Sequence, residues 1–149
     1  RFKIQEGQNR VRVLSDFLPH TSYFGTGKDR KRRFQWLGYV LDRKDGQIKT
    51  FFMPHLIHGM IESYQKDPDW AFDEVPMPYD VTINAKNAGT KDVEYSVVAS
   101  PKRTAVTDEE LIQFATKKDI TEVQQAIYEK MNEQGNDAPR PYEPDEIPA

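Results

Sequence analysis

Polar and apolar residues alternate in several short stretches of the chain, and this alternation indicates β-strands. Valine and arginine alternate within Asn9–Phe17, the pattern of a strand with one buried face. The same period of two recurs in Tyr79–Lys86 and Lys91–Ala99, with a turn over Asn87–Gly89 between them. A short first strand is expected over Arg1–Gln5.

The segment from Lys28 to Met53 has the strongest local signal. Phe34–Arg43 is strand-like and rich in aromatic residues, and Ile48–Met53 follows as a second strand. Between them, Asp45-Gly46 predicts a two-residue turn, because this dipeptide is typical of β-hairpins. The preceding segment, Leu18–Lys28, contains a proline and two glycines, so we expect a loop there.

After the hairpin, apolar residues recur at helical spacing. Pro54 suits the first turn of a helix, which we expect to run to about Gln65 and to end at Asp67-Pro68. The proline-containing stretch Asp69–Pro78 is then a connector.

Two further helices are predicted near the C-terminus. Thr107 and Glu110 have the spacing of a capping box, so a helix is expected from Asp108 to about Thr116. Apolar residues at helical spacing predict another helix over Asp119–Met131.

These elements predict a mainly β protein with C-terminal helices. A five-stranded sheet with a helix between its third and fourth strands has the order of the OB-fold barrel, which binds oligonucleotides on its second and third strands. We therefore expect an OB-fold nucleic-acid-binding domain over residues 1–105 and a helical segment over 106–132. Residues 133–149 are acidic and proline-rich, and we expect a disordered tail.

Composition narrows the class of protein. A chain of 149 residues is most consistent with one domain that buries its own core. It has no cysteine, which excludes disulfides, thiolate metal ligands and a cysteine nucleophile. No stretch has the apolar length of a membrane span, so we expect a cytoplasmic protein and no membrane partner.

Charge is distributed unevenly along the chain. Residues 1–105 carry 17 Lys and Arg against 13 Asp and Glu, whereas residues 106–149 carry 4 against 11, so net charges of +4 and −7 give the total of −3. A basic body with an acidic end is typical of a nucleic-acid-binding module with an interaction tail. The alternative is a solvated helix and a disordered end with no binding role.

The basic run from Lys28 to Arg33 leads directly into the aromatic hairpin. Cations that neutralise phosphates and flat rings that stack on bases are what binding of single-stranded nucleic acid requires. The candidate cations are Arg10, Arg12, Lys28, Arg30, Lys31, Arg32, Arg33, Arg43, Lys49, Lys86 and Lys91. The candidate rings are Tyr23, Phe24, Phe34, Trp36, Tyr39 and Phe51.

Neighbouring residues of a strand face opposite sides, so about half of the hairpin rings must be core. Trp36 and Tyr39 are the leading candidates for stacking, although they lie on opposite faces unless Gly38 marks a bulge. The sequence does not say which half of the rings is exposed.

Other chemistry has weaker signals. His55 and His58 are three residues apart on the predicted helix, with Glu62 one turn on, but exposed helical histidines without a metal are far more common. No phosphate-binding glycine loop, nucleophile motif or catalytic acid pair stands out, so we expect no enzymatic activity and no cofactor.

Three motifs carry a family resemblance: EGQNRVRVLS near the N-terminus, WLGYVLDRKDGQIKTFFMP in the hairpin, and PMPYDVTINAKNAGTKDVEYSVVAS further on. Over roughly Phe2 to Ser100, the chain resembles the single-stranded-DNA-binding proteins of tailed bacteriophages and prophages. The resemblance implies an OB-fold protein without catalytic activity that coats single strands during DNA replication or recombination, in the cytoplasm of an infected bacterial host. Some relatives have a cysteine/histidine zinc site, which a chain without cysteine does not share.

The same resemblance implies an acidic tail that recruits replication or recombination proteins. The matching residues are Asp137, Tyr142, Glu143, Asp145, Glu146 and Ile147. A homo-oligomer is compatible with the sequence. An OB-fold protein–protein adaptor is the main alternative function, and a metal-dependent nuclease using Asp42, Asp45 and Glu62 is a weaker one.

Overall fold

A computed structural model of the chain describes residues 1–24, 28 and 31–133. The strands are β1 (Gly7–Val13), β2 (Leu18–Phe24), β3 (Lys31–Asp42), β4 (Gln47–Pro54), β5 (Val81–Lys86) and β6 (Glu94–Ala99). The helices are α1 (His55–Lys66), α2 (Asp108–Ala115) and α3 (Ile120–Glu133). The predicted mainly β class with C-terminal helices is confirmed.

All six strands form one antiparallel sheet around β3. The first part of β3 pairs along one edge with β2, ending with Leu18 opposite Leu37. The last part of β3 pairs along the same edge with β1, beginning with Val13 opposite Val40. Its other edge pairs with β4. The sheet continues from β1 to β5 and β6. Among the described strands, β4 and β6 do not pair, so the sheet is not closed.

The predicted loop over Leu18–Lys28 is wrong in its first part, where β2 forms instead. Pro19 is tolerated because β2 is an edge strand, where a missing N–H removes no ladder hydrogen bond. The sheet therefore has six strands rather than five. The predicted strand over Arg1–Gln5 is also absent, although Phe2 N–H donates to the Thr50 carbonyl of β4 (2.7 Å).

The β3–β4 connection is longer than predicted. Asp42 pairs with Gln47, so the loop has the four residues Arg43–Gly46 rather than two. Gly46 N–H donates to the Asp42 carbonyl (2.8 Å). Gly46 makes this possible with φ of +71°, a conformation that glycine adopts without steric cost.

Each face of the β3–β4 hairpin has its own hydrophobic core. The inner face, with Val40, Phe51 and Met53, packs against α1 and the other strands. The outer face, with Tyr39 and Ile48, is covered by the C-terminal helices, from which Ile120 is buried. Gly38 pairs in regular register rather than forming a bulge. A Cβ there would lie 2.5 Å from the Phe17 ring, which explains the glycine.

The C-terminal helices form as the sequence predicts. Thr107 Oγ1 accepts from Glu110 N–H (3.2 Å), and Glu110 Oε1 accepts from Thr107 N–H (3.0 Å), which confirms the capping box. Helix α3 covers the free edge of β2, because Tyr128 OH accepts from Thr21 N–H (2.9 Å). Within the residues that the structure describes, no helix is long and apolar enough to cross a membrane.

His20 of β2 is buried beneath α3 and predicts a pH-dependent stability. Its ring stacks on Tyr128, and Gln124 Nε2 lies 3.0 Å from its Nδ1. Burial, with a smaller contribution from the Arg1 charge, lowers the pKa of His20 from 6.5 to about 4. Protonation therefore favours the unfolded chain as pH falls below 6.5.

We expect the free energy of unfolding to fall by about 2 kcal/mol between pH 7 and pH 5 from this group alone. Urea denaturation at the two pH values measures the change. His20→Phe, which retains a ring, should remove that part of the pH dependence. An unchanged pH dependence in this variant would show that His20 is not responsible.

Candidate nucleic-acid interface

The β2–β3 hairpin extends beyond the rest of the sheet. Thr21–Phe24 pairs with Lys31–Phe34, whereas β4 begins to pair with β3 only at Gln35. We call these two paired segments, Thr21–Phe24 and Lys31–Phe34, the ribbon. The ribbon contains Lys31, Arg32 and Arg33 of the basic run that the sequence singled out.

Register assigns the ribbon side chains to two faces. Tyr23 lies opposite Arg32, and Thr21 opposite Phe34, so Tyr23, Arg32 and Phe34 share one face. Arg33 and Lys31 lie on the other face. Lys31, Arg32 and Arg33 are exposed, whereas Tyr23 and Phe34 are half-buried. Cations therefore lie on both faces, and the two rings that the structure describes in the ribbon, Tyr23 and Phe34, lie on one.

Aromatic rings continue from the ribbon towards α1. The Phe34 and Trp36 rings meet edge to face at 5.4 Å between centroids. Trp36 stacks on His58 at 3.7 Å and 5°, and its Nε1–H donates to His55 Nδ1 (3.0 Å). One face of the Trp36 ring is therefore already occupied by His58, whereas Tyr23 and Phe34 lie on the ribbon beside the exposed cations.

Two of the residues predicted to stack on bases belong to the hydrophobic core and are not part of the interface. Tyr39 is 6% exposed, and its hydroxyl donates to the Lys118 carbonyl (2.8 Å). Burial, followed by the Asp119 charge, raises the pKa of Tyr39. Phe51 is 2% exposed and packs edge to face on Phe2 and Phe17.

Three predicted cations surround one buried carboxylate, that of Asp80. The Asp80 carboxylate accepts from Nε of Arg12 (2.6 Å), Arg10 (3.0 Å) and Arg43 (3.1 Å). The Arg12 side chain is completely buried, so the prediction that it contacts nucleic acid is wrong. Arg43 has a second partner in Glu110 (2.9 Å), whereas the Arg10 side chain is 53% exposed.

The environment of Asp80 keeps it ionised. Burial on its own would raise the pKa of Asp80, but hydrogen bonds from Arg43 and Arg12, together with their charges, outweigh burial and lower it. The ion pairs join β1, the start of β5 and the β3–β4 loop. The cluster is therefore a structural centre of the fold.

The three carboxylates suggested for a nuclease site contact basic side chains instead. Asp42 and Asp45 both accept from Lys49 Nζ, at 3.0 and 2.6 Å. The hydrogen bond from Lys49 is the main reason for the lowered pKa of Asp45. Glu62 lies beside His58 (3.6 Å) on α1. Across the described part of the chain, no three histidine, aspartate or glutamate residues are placed to bind a metal ion.

A second basic surface lies at the other end of β3. A shallow groove of about 900 Å³ runs between the N-terminal segment and the β3–β4 loop. It brings together the predicted cations Arg10, Arg43 and Lys49 with three that sequence reasoning missed, namely Arg1, Lys3 and Lys44. Three carboxylates, Glu6, Asp42 and Asp45, also line the groove. Among the residues that the structure describes, the only aromatic one lining the groove is Phe2, which is buried, so they provide charge there without a stacking ring.

The remaining predicted residues are dispersed over the surface or lie outside the residues that the structure describes. Lys86 and Lys91 are exposed on the β5–β6 hairpin, and Lys28 is exposed beside the ribbon. Arg30 lies outside the described residues, as does the side chain of Phe24. The predicted tail contacts also lie outside them: Asp137, Tyr142, Glu143, Asp145, Glu146 and Ile147.

Comparison of the chain with protein-family models, curated proteins and solved structures gave no match.

Proposed function

We propose that this chain is a sequence-nonspecific single-stranded-DNA-binding protein without catalytic activity. The observation that carries the proposal is the ribbon, which combines exposed cations with aromatic side chains on a segment that extends beyond the sheet. Lys31, Arg32 and Arg33 would neutralise phosphates and release counterions. Tyr23 and Phe34 would stack on bases, and stacking tolerates any sequence because every base has a flat face.

The strand order supports a relation to the OB fold. β1 and β2 pair with successive segments of the same edge of β3, so in an OB fold they would correspond to two halves of one bent first strand. Counted in this way, the sheet has five strands, and α1 follows the third. Where a closed barrel would pair β4 with β6, Tyr64 of α1 instead donates its hydroxyl to the Val97 carbonyl of β6 (3.1 Å).

In this proposed relation, the ribbon would correspond to the loop between the first and second strands of an OB fold. That loop and the loop between the fourth and fifth strands are recurrent oligonucleotide-binding elements. Lys86 and Lys91 lie at the second of these positions. The acidic residues at the end of the chain and the resemblance to phage proteins extend the proposal to DNA replication or recombination, with protein partners recruited by the tail.

A protein–protein adaptor is the second candidate, and α2 is the observation that favours it. Leu111 and Ile112 of this helix are 42% and 68% exposed. Exposed apolar residues on a surface helix are typical of a protein contact. An adaptor would bind a replication enzyme through this helix and would not bind single strands at low salt.

Fluorescence anisotropy of a labelled dT oligomer, beside the matching duplex, tests the proposal. We expect saturable binding of the single strand at low salt, with little affinity for the duplex. Absence of binding to the single strand at low salt would contradict the proposal and favour the adaptor.

The ring of Tyr23 provides a specific prediction. Tyr23→Ala should weaken binding of the dT oligomer by about 5- to 100-fold, the effect of losing one stacked base at about 1–3 kcal/mol. Tyr23→Phe retains the ring and should bind like the parent. Equal affinity of the alanine and phenylalanine variants would exclude stacking at this position.

A further inference from the structure

A cleft lies beside α1, at the point where the row of aromatic rings ends. It has a volume of about 340 Å³, within the range of ordinary ligand-binding pockets. Its apolar lining includes Phe17, Trp36, Met53, Phe72 and Met77. Phe17, Trp36 and Phe72 are only half-buried, so their rings are accessible from the cleft.

Four carboxylates border this apolar surface: Asp16, Glu62, Asp73 and Glu74. Glu62 lies beside His58. Within residues 1–24, 28 and 31–133, neither Asp16 nor Asp73 nor Glu74 has an ion-pair partner. Like charges around one cleft repel each other unless a cation lies between them. An arginine side chain fits both parts of the cleft, because its flat guanidinium stacks on rings and forms paired hydrogen bonds with carboxylates.

We propose that this cleft binds the ribbon of a second copy of the same chain. The ribbon carries three consecutive exposed cations, Lys31–Arg33, so its charge is complementary to that of the cleft. Lys31, Arg32 and Arg33 do not line the cleft of their own molecule. Lys31 precedes Trp36 by five residues on one continuous strand, which separates the Cα atoms of the two residues by roughly 16 Å.

The contact is heterologous, because the ribbon of one copy meets the cleft of the next. Contacts of this type repeat along an open chain of molecules unless the rotation closes a ring. Given the proposed function, single-stranded DNA and the neighbouring cleft compete for the same cations. A short dT oligomer should therefore dissociate the assembly.

Analytical ultracentrifugation without DNA tests the contact independently of DNA binding. At low salt the parent protein should form species larger than a monomer, in proportions that grow with concentration, and raised ionic strength should dissociate them. A cleft variant, D73N/E74Q, and a ribbon variant, R32Q/R33Q, should each remain monomeric. Both variants change exposed side chains only.

Mixing the two variants is the decisive step. The intact ribbon of the cleft variant can bind the intact cleft of the ribbon variant. In such a dimer the remaining cleft and the remaining ribbon are the mutated ones, so no further molecule can bind. The mixture should therefore form 1:1 dimers and nothing larger. A monomeric parent protein at low salt would overturn the proposal and leave the cleft for an arginine-bearing segment of another protein. Self-association of the cleft variant at the level of the parent would overturn it as well. Binding of the dT oligomer is measured separately, and neither result would decide whether the protein binds single-stranded DNA.

Discussion

Replacing Asp80 with asparagine is expected to lower the free energy of unfolding by about 3–5 kcal/mol. The substitution retains the shape of the side chain but removes the only carboxylate that Arg12 contacts among the described residues. The Arg12 side chain is completely buried, and an uncompensated buried charge is among the most destabilising changes that a fold can undergo. Arg43 would retain Glu110 as a partner, so the loss falls mainly on Arg12.

Urea denaturation of Asp80→Asn and of the parent protein measures this difference. Asp92→Asn is the matched control, because Asp92 is exposed and the same change there should alter stability by less than about 0.5 kcal/mol. The lowered pKa of Asp80 has the same origin, so its contribution to stability should be present above the ordinary aspartate pKa and lost as pH falls through the lowered value. A loss no greater than that of the control would mean that the arginine cluster is not a structural centre.

Neutralising Arg32 and Arg33 together is expected to weaken binding of single-stranded DNA by about 10- to 100-fold at low salt. The two side chains lie on opposite faces of the ribbon, so a bound strand loses phosphate contacts on either side. The loss should be the same for dT, dA and mixed-sequence oligomers, because phosphate contacts carry no sequence information.

The matched control for R32Q/R33Q is K117Q/K118Q. It also removes two neighbouring exposed cations, but from the segment that follows α2, remote in sequence from the ribbon. If net charge alone determined affinity, the two variants would bind equally weakly. We expect the control to bind like the parent, and equal losses in the two variants would contradict a localised site on the ribbon.

Local sequence signals predicted most of the elements. The capping box marked the start of α2, because it acts within one helical turn. Pro54 marked the start of α1, although it is the last residue of β4 rather than part of the first helical turn. Strand β2 could not be predicted in this way. Pro19 interrupts its pattern, and the strand forms because β3 and α3 provide partners that are distant in sequence.

The candidate site was only partly predictable for the same reason. The alternating pattern correctly predicted that the Arg10 side chain is exposed, and it predicted the same for Arg12. Arg12 is buried because the segment around Thr104, 92 residues later, covers it and accepts its hydrogen bonds. Tyr39 is likewise covered by Phe114, whose ring lies 5.7 Å away. No local pattern indicates which exposed face of a strand a later segment will cover.

The most direct test of single-strand binding by the ribbon is the salt dependence of dT-oligomer affinity, measured for the parent protein and R32Q/R33Q. For the parent we expect the logarithm of the binding constant to fall linearly with the logarithm of salt concentration, by about 0.7 for each phosphate contact. The variant should have a shallower slope, by about 1.4 if each arginine contacts one phosphate. Equal slopes for the two proteins, or binding that does not change with salt, would contradict the account.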